Sequence, residues 1–421
     1  MKFIKNHIVF IGILFIYLIV NLFFLIMHPG TLFNEPERFG EAISMYGSRD
    51  GSLYAKMAWQ LINDGVYGYN IEGSNAYVTY GHPLYLTVLF KIADLLNTNH
   101  IMVYRMSNML LNLGIVILIY SISMRLFKHK WVAILASIFY MTHIGPLHYF
   151  RTALTEIPAI FLFLLTIWLF LFALAKDKYR YHILFGIVAS LLLMFRATPA
   201  PMLLFAWFIV VGHKGFKEGV KIGFIWVIGP VVVMVPWVVR NLIMFGEPYL
   251  FSSHSGGPLL GGANPFYLIP QAELVQQSIE AGLSDSEFGK QRIIEGFETD
   301  LPLWLSWFTV GKTLWLFFDS LGNPDGLGPY NGVFSAFWLG FFKFQNMFVV
   351  AIGFLSAILL RKHKPLMYLS TLLLIYIFFS NIFLTIPRYG LLVFPIVSII
   401  TAYGLVTFWT YITSKIRNIK V

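Results

Sequence analysis

Asp50 is the side chain best placed for chemistry in this chain. It follows Arg49 in RDGSLYAKMAWQLINDGVYGYN, a polar and aromatic stretch that begins soon after a long apolar run. A carboxylate that takes a proton from an attacking hydroxyl must sit beside its substrate and be partly desolvated. The hydrophobic and aromatic neighbours of Asp50 supply that setting. Arg49 and Tyr54, in the same stretch, join it as candidates for substrate contact. The competing reading is a solvated surface acid.

Glu156 is the second carboxylate, in YFRTALTEIPAIFLF, with Arg151 just before it. An acid that opens a helix is often only a partner of the helix dipole, and Thr152 or Thr155 could be the cap. The functional reading puts Arg151 and Glu156 on the cavity that Asp50 faces. Arg196 lies in LLLMFRATPAP between two short apolar runs, so their junction should sit below the membrane surface. An arginine at such depth costs about 2.5–3.5 kcal/mol unless it is paired or solvated. An anionic ligand, a glutamate or a helix C-terminus would each pair it. Arg240 in VPWVVRNLIMFGEP and Arg388 in TIPRYGLLVFP complete a set of five arginines expected on the same side of the membrane. Arginine is the residue preferred for bidentate phosphate recognition, although an arginine at a helix end can also simply snorkel. His82, before Pro83, marks the return of the first loop to the membrane. The histidines show no metal-binding helix spacing. A divalent cation held by Asp50, Glu156 and a histidine is a further option.

The elements that carry these residues follow from composition. The chain has 421 residues, 58% hydrophobic and 12% charged, with mean hydropathy +0.72. No soluble protein of this length could cover so much apolar surface. The apolar runs are helix-length and do not alternate, which argues for helices and against a barrel. The spacing predicts an all-α polytopic membrane protein with ten spans, near 8–27, 104–126, 131–150, 154–175, 182–195, 199–212, 220–239, 344–360, 366–384 and 390–412. The N-terminal run is too long for a signal peptide and lacks a small-residue cleavage site, so it reads as an uncleaved first span. Two long segments, 28–103 and about 240–343, stay outside the bilayer. Within them, 82–96 and the tryptophan-rich 301–318 read as interfacial helices. The stretches 252–265 and 319–332 read as glycine-rich loops.

Charge orients these elements. Of the 30 basic residues, 17 lie in short turns on one side, with only Asp177 and Glu218 for company. The other 13 share the opposite side or the spans with 18 acids. The positive-inside rule makes the basic face cytoplasmic, puts both termini inside and leaves the candidate site on the extracytoplasmic face of the plasma membrane. The net charge of +10 is therefore a topology signal, not a sign of nucleic-acid binding. The absence of cysteine excludes thiol chemistry and cysteine metal sites. There is no P-loop and no dinucleotide fingerprint. The near misses to a DxD motif, Glu35-x-Glu37 and Asp285-x-Glu287, fall outside, where nucleotide sugars are scarce. A donor for group transfer should be membrane-borne.

Four passages together resemble a known family: RDGSLYAKMAWQLINDGVY with YGHPLYL; YRMSNMLLNLGIVILIYSISMRLF followed by YFRTALTEIPAIFLFLL; PWVVRNLIMFGEPYLFSSHSGG with GGANP; and PRYGLLVFPIVSIITAYGL. In order and spacing the chain is similar to GT-C-type glycosyltransferases of the protein O-mannosyltransferase and aminoarabinose-transferase superfamily. The resemblance implies a GT-C-like bundle over 1–240 that includes the first outer loop, an extracytoplasmic segment at 241–343 and C-terminal membrane helices at 344–421. It implies transfer of a sugar from a polyprenyl-phosphate carrier to a glycan, lipid or protein acceptor, usually with inversion. It further implies Asp50 as the base, Glu156 as a second acidic position, and Arg196, Arg240 and Arg388 as ligands of the lipid phosphate. Two departures stand out. Asp50 is followed by Gly51 where many relatives have Asp-Glu, and His82-Pro83 stands where many carry Lys-Pro or Arg-Pro. A carrier of lipid-linked sugars across the membrane, or a glycan polymerase or ligase, are the alternatives. A carrier would be expected to show inverted repeats, which the sequence lacks.

Overall fold

In the computed structural model, residues 2–27, 46–254, 256–318 and 334–419 are described. Glu35, Glu37 and the 319–332 loop lie outside them. All elements among the described residues are helical.

The helices that matter for the site run in chain order as α1 (Lys2–Met27), α2 (Arg49–Asn63), α3 (Gly81–Leu95), α4 (His100–Phe127), α5 (Lys130–Met141), α6 (Glu156–Lys176), α7 (Tyr179–Phe195), α8 (Ala200–Lys214), α9 (Phe216–Val233) and α10 (Val235–Phe245). Next come α11 (Gln271–Glu280) and α12 (Asp285–Thr299), then α13 (Ala336–Leu359), α14 (Lys364–Ile382) and α15 (Phe394–Ile419). By length and composition α1, α4, α6, α13, α14 and α15 can each cross a membrane. The pair α9 and α10, bent by 46° at Met234, makes a seventh candidate. The bend follows from Pro230 inside α9 and Pro236 in the first turn of α10, each of which removes a backbone donor. The molecule is a multi-pass membrane protein. The expected segments at 131–150, 182–195 and 199–212 fall on shorter apolar helices instead.

The 131–150 span is corrected most clearly. Helix α5 ends at Met141, about 18 Å long at 1.5 Å per residue and well short of a bilayer core. The chain turns at Thr142–Ile144, where His143 Nδ1 accepts the amide of Gly145 at 3.0 Å. A short helix, Gly145–Tyr149, follows with Pro146 in its first turn. Residues 150–155 then run without regular structure into Glu156. What reads as one hydrophobic run is thus a half-length helix plus a platform under the site.

Close backbone approach fixes the bundle. A Cβ on Gly229 would lie 2.0 Å from the carbonyl oxygen of Gly186, so α7 and α9 touch backbone to backbone. Membrane helices use small residues this way because lipid offers no hydrophobic drive for association. A buried polar knot ties the N-terminal helices. Asn112 on α4 donates to Tyr17 Oη (3.0 Å) and Asn21 Oδ1 (2.9 Å) of α1, and accepts from Tyr140 Oη of α5 at 2.9 Å. Such interhelical bonds contribute about 0.6–2 kcal/mol each in a membrane setting.

Candidate active site

Three elements meet beneath Asp50 through one residue. The amide of Ala153 donates to the Tyr46 carbonyl (3.0 Å), just ahead of α2. The Ala153 carbonyl is 2.8 Å from His82 Nε2, at the start of α3. A carbonyl only accepts, so Nε2 carries the hydrogen and Nδ1 is the bare nitrogen. Ala153 lies three residues before Glu156. The start of α2, α3 and the segment entering α6 are therefore pinned together before any charged group is considered.

Asp50 occupies the first turn of α2. Ser48, extended at φ −172°, caps that helix by accepting the Gly51 amide at 2.9 Å. Gly51 is required by space. A Cβ there would sit 2.5 Å from the Tyr46 carbonyl oxygen, the same atom that receives Ala153. This gives the Asp50-Gly51 departure a local cause.

Both oxygens of Asp50 are engaged. Arg388 Nη2 donates to Oδ2 at 2.9 Å and Tyr69 Oη donates to Oδ1 at 3.2 Å. Burial and then the Asp50 charge raise the Tyr69 pKa, so its phenol stays a donor at working pH. Arg388 sits in the 3-10 turn Pro387–Leu392 that leads into α15. Its Nε lies 3.7 Å from Glu156 Oε1, and that oxygen also accepts from Arg196 Nη2 at 2.9 Å. The result is one alternating string of charge: Arg196, Glu156, Arg388, Asp50. Glu156 is only 2% exposed and its second oxygen has no hydrogen-bond partner. Burial opposes the Arg388 charge, but Glu156, Tyr389 and Asp50 outweigh it and hold its pKa well above the usual value.

Arg196 is the residue that ends α7. Its Nε reaches Thr155 Oγ1 at 3.3 Å. The Tyr389 ring backs both cations, 4.8 Å from the Arg196 guanidinium and 5.6 Å from that of Arg388. Cations over an aromatic face gain from its quadrupole and lose little mobility.

The remaining candidates divide by place. Tyr54 is half-buried, with ring centroids 5.7 Å from Tyr69 and 5.0 Å from His82. Burial lowers the His82 pKa to about 4, so this imidazole is neutral and offers no charge to an anion. Arg49 is exposed and makes no ion pair among the described residues. Arg151 is fully buried beside Arg105; burial, then Arg105, bring its pKa down to about 9. Its carbonyl receives Tyr104 Oη and Arg105 Nε, both at 3.1 Å. Arg240 lies apart from the string. It donates to the Asn75 carbonyl and to Asn241 Oδ1, at 2.9 and 2.8 Å, and packs on Tyr67 and Trp237. That is a strap on the 67–78 segment between α2 and α3. Among the described residues no group of three or more His, Asp or Glu could hold a metal ion.

Sequence reasoning missed Tyr69, Tyr389 and His254. Tyr69 stacks on Tyr77 at 5.0 Å, and Tyr77 stacks on His254 at 4.0 Å, forming a wall beside Asp50. The aromatic density of VYGYNIEGSNAYVTY was the available signal for Tyr69, and the place of Tyr389 directly after Arg388 in TIPRYGLLVFP was the signal for Tyr389. Nothing local marked His254.

Known proteins match this chain in part of its sequence and in its fold. Residues 81–239 match a family model described as dolichyl-phosphate-mannose-protein mannosyltransferase. No curated protein sequence matches the chain. Among solved structures, ArnT from Cupriavidus metallidurans bound to undecaprenyl phosphate superposes with TM-score 0.54 at 12% identity, over 96% of this chain and 60% of that one. The oligosaccharyltransferase AglB from Archaeoglobus fulgidus, in complex with an inhibitory peptide and a dolichol-phosphate, gives 0.54 at 15%, over 97% and 51%. A second structure of an Archaeoglobus fulgidus oligosaccharyltransferase, tethered to an acceptor peptide, gives 0.55 at 13%, over 98% and 51%. The chain thus spans about half to three fifths of the length of these structures. Residues 81–239 thus carry the likeness to the mannosyltransferase family, and the chain shares its fold with these solved structures over nearly its whole length.

Proposed function

We propose that this protein moves a sugar from a polyprenyl-phosphate carrier to an acceptor hydroxyl on the extracytoplasmic side of the plasma membrane, with inversion. The observation that carries the reading is the string Arg196–Glu156–Arg388–Asp50, which sets two arginines beside a carboxylate open enough to meet substrate. Asp50 accepts the proton of the acceptor hydroxyl. The acceptor oxygen bonds to the anomeric carbon, and the bond from that carbon to the phosphate oxygen breaks, leaving its electron pair on the phosphate. Arg196 and Arg388 stabilise the charge growing there. Glu156 holds both arginines in place. Tyr54 and Tyr69 line the space in which the sugar would lie.

An apolar cavity of about 220 Å³ lies between α6, α7, α8 and α14. Leu192, Pro199 and Met202 line its end near Arg196, and His213 and Tyr368 line the end near the basic turn. A prenyl tail whose phosphate sits at Arg196 would find this space directly below. The solved relatives that hold undecaprenyl phosphate and dolichol-phosphate favour a lipid-phosphate donor of this kind.

The test is release of polyprenyl phosphate by purified protein supplied with a panel of polyprenyl-phosphate sugars and envelope extract. Wild type should release the lipid. Asp50→Asn should lose about 10²–10⁴-fold, the usual weight of a general base. Equal turnover by both proteins would remove Asp50 as the base. Movement of the lipid between leaflets without release would replace transfer by transport.

A further inference from the structure

The resting site has its base capped. Tyr69 holds one oxygen of Asp50 and Arg388 holds the other. An acceptor hydroxyl approaching this carboxylate meets two oxygens that each already accept one hydrogen bond. The two caps differ in kind. Tyr69 is a neutral donor stacked against Tyr77, and no anion competes for its place. Arg388 is one of the two cations that a lipid phosphate would meet.

Arg388 also has somewhere to go. Its Nε makes no hydrogen bond and stands 3.7 Å from the buried Glu156 carboxylate, slightly beyond hydrogen-bond reach. Glu156 is fixed by Arg196. A small rotation of the Arg388 guanidinium away from Asp50 would keep its pairing with Glu156. Its contact with Asp50 is the more exposed one, at 41% exposure of the Asp50 side chain against 2% for Glu156. A solvent-exposed ion pair is weak, while guanidinium–phosphate contacts are short and often bidentate.

We infer that Arg388 is a donor-released cap on Asp50: the phosphate of the lipid donor draws Arg388 off the carboxylate and so exposes Asp50 Oδ2 to the acceptor. This rests on the transferase reading above. It makes binding ordered, with the lipid donor first and the acceptor second. It also leaves Asp50 Oδ2 paired with Arg388 while no donor is bound.

The experiment reads the reactivity of Asp50 directly. Wild-type protein in detergent is labelled with a water-soluble carbodiimide and an amine, with and without a polyprenyl phosphate that lacks a sugar. Modification at Asp50 is measured by peptide mass spectrometry, and lipid binding is measured on the same sample by native mass spectrometry. The expected result is a several-fold rise in Asp50 labelling when the lipid binds. Arg388→Gln should label at the high level without lipid and respond no further. A purely structural role for Arg388 would not make labelling depend on lipid. Lipid binding with unchanged or reduced labelling overturns the cap and leaves the transferase reading standing. Failure of the lipid to bind sinks both. The wild-type comparison needs no variant, so misfolding of R388Q would leave the test intact.

Discussion

Arg388 and Asp50 stand 338 positions apart in the chain and 2.9 Å apart in space. The contact joins the first turn of α2 to the turn that opens α15, across the whole bundle. Glu156 and Arg196, themselves 40 positions apart, extend it inward. A site assembled from four separate elements fails when any one of them shifts, and that dependence makes its parts testable one at a time.

Glu156→Gln should destabilise the protein by about 3 kcal/mol, because removing one partner of a buried ion pair strands the other charge. Arg196 and Arg388 would lose their shared anchor. Thermal unfolding in detergent measures the loss. Replacing Arg196 by Met in the same chain should restore part of it, since the stranded cation is then gone. No recovery in the double variant would show that Arg196 is not the stranded group.

Acid should weaken the fold through His82. Its folded pKa, about 4, lies below the unfolded value of 6.5. Between these values the unfolded chain binds a proton that the folded chain does not, so stability falls as pH falls through that window. Above about pH 6.5 the group has no effect. The full span corresponds to about 3 kcal/mol. His82→Asn should flatten the unfolding temperature between pH 7 and pH 5. An unchanged slope would assign the acid sensitivity to other groups, His148 first among them, since burial also lowers its pKa to about 4.

Gly51→Ala should disturb the base more than the fold. The added methyl would lie 2.5 Å from the Tyr46 carbonyl, and the start of α2 must move to admit it. Overpacking of this kind costs about 1–3 kcal/mol. Asp50, one residue earlier, moves with it. Turnover should drop while lipid binding stays near wild type. Loss of lipid binding instead would place Gly51 in the donor site.

Arg240→Ala should loosen the 67–78 segment and leave the charge string intact. Arg240 donates to the Asn75 carbonyl and packs on Tyr67, and Asn75 in turn accepts the Tyr69 amide at 3.1 Å. Hydrogen exchange should rise across 67–78 with little change elsewhere. A large loss of lipid binding with unchanged exchange would return Arg240 to the phosphate.

Much of the fold was legible because its causes are local. Long apolar runs and prolines near helix starts act within a few residues, and they marked the long membrane helices. The 131–150 run misled because hydropathy sees composition and not the turn at Thr142–Ile144, where His143 and Pro146 stop the helix.

The charged candidates were legible as residue types, and their partners were not. By itself the sequence determined an all-helical membrane chain with carboxylates and arginines at its helix ends. Tertiary structure alone decided that Asp50, Glu156, Arg196 and Arg388 form one string, that Arg240 straps a loop, and that His82 is buried and neutral. The reason is physical. Helix and span signals depend on neighbours within a turn or two, whereas pairing and burial depend on which distant segments pack together, and the identity of a single residue carries neither.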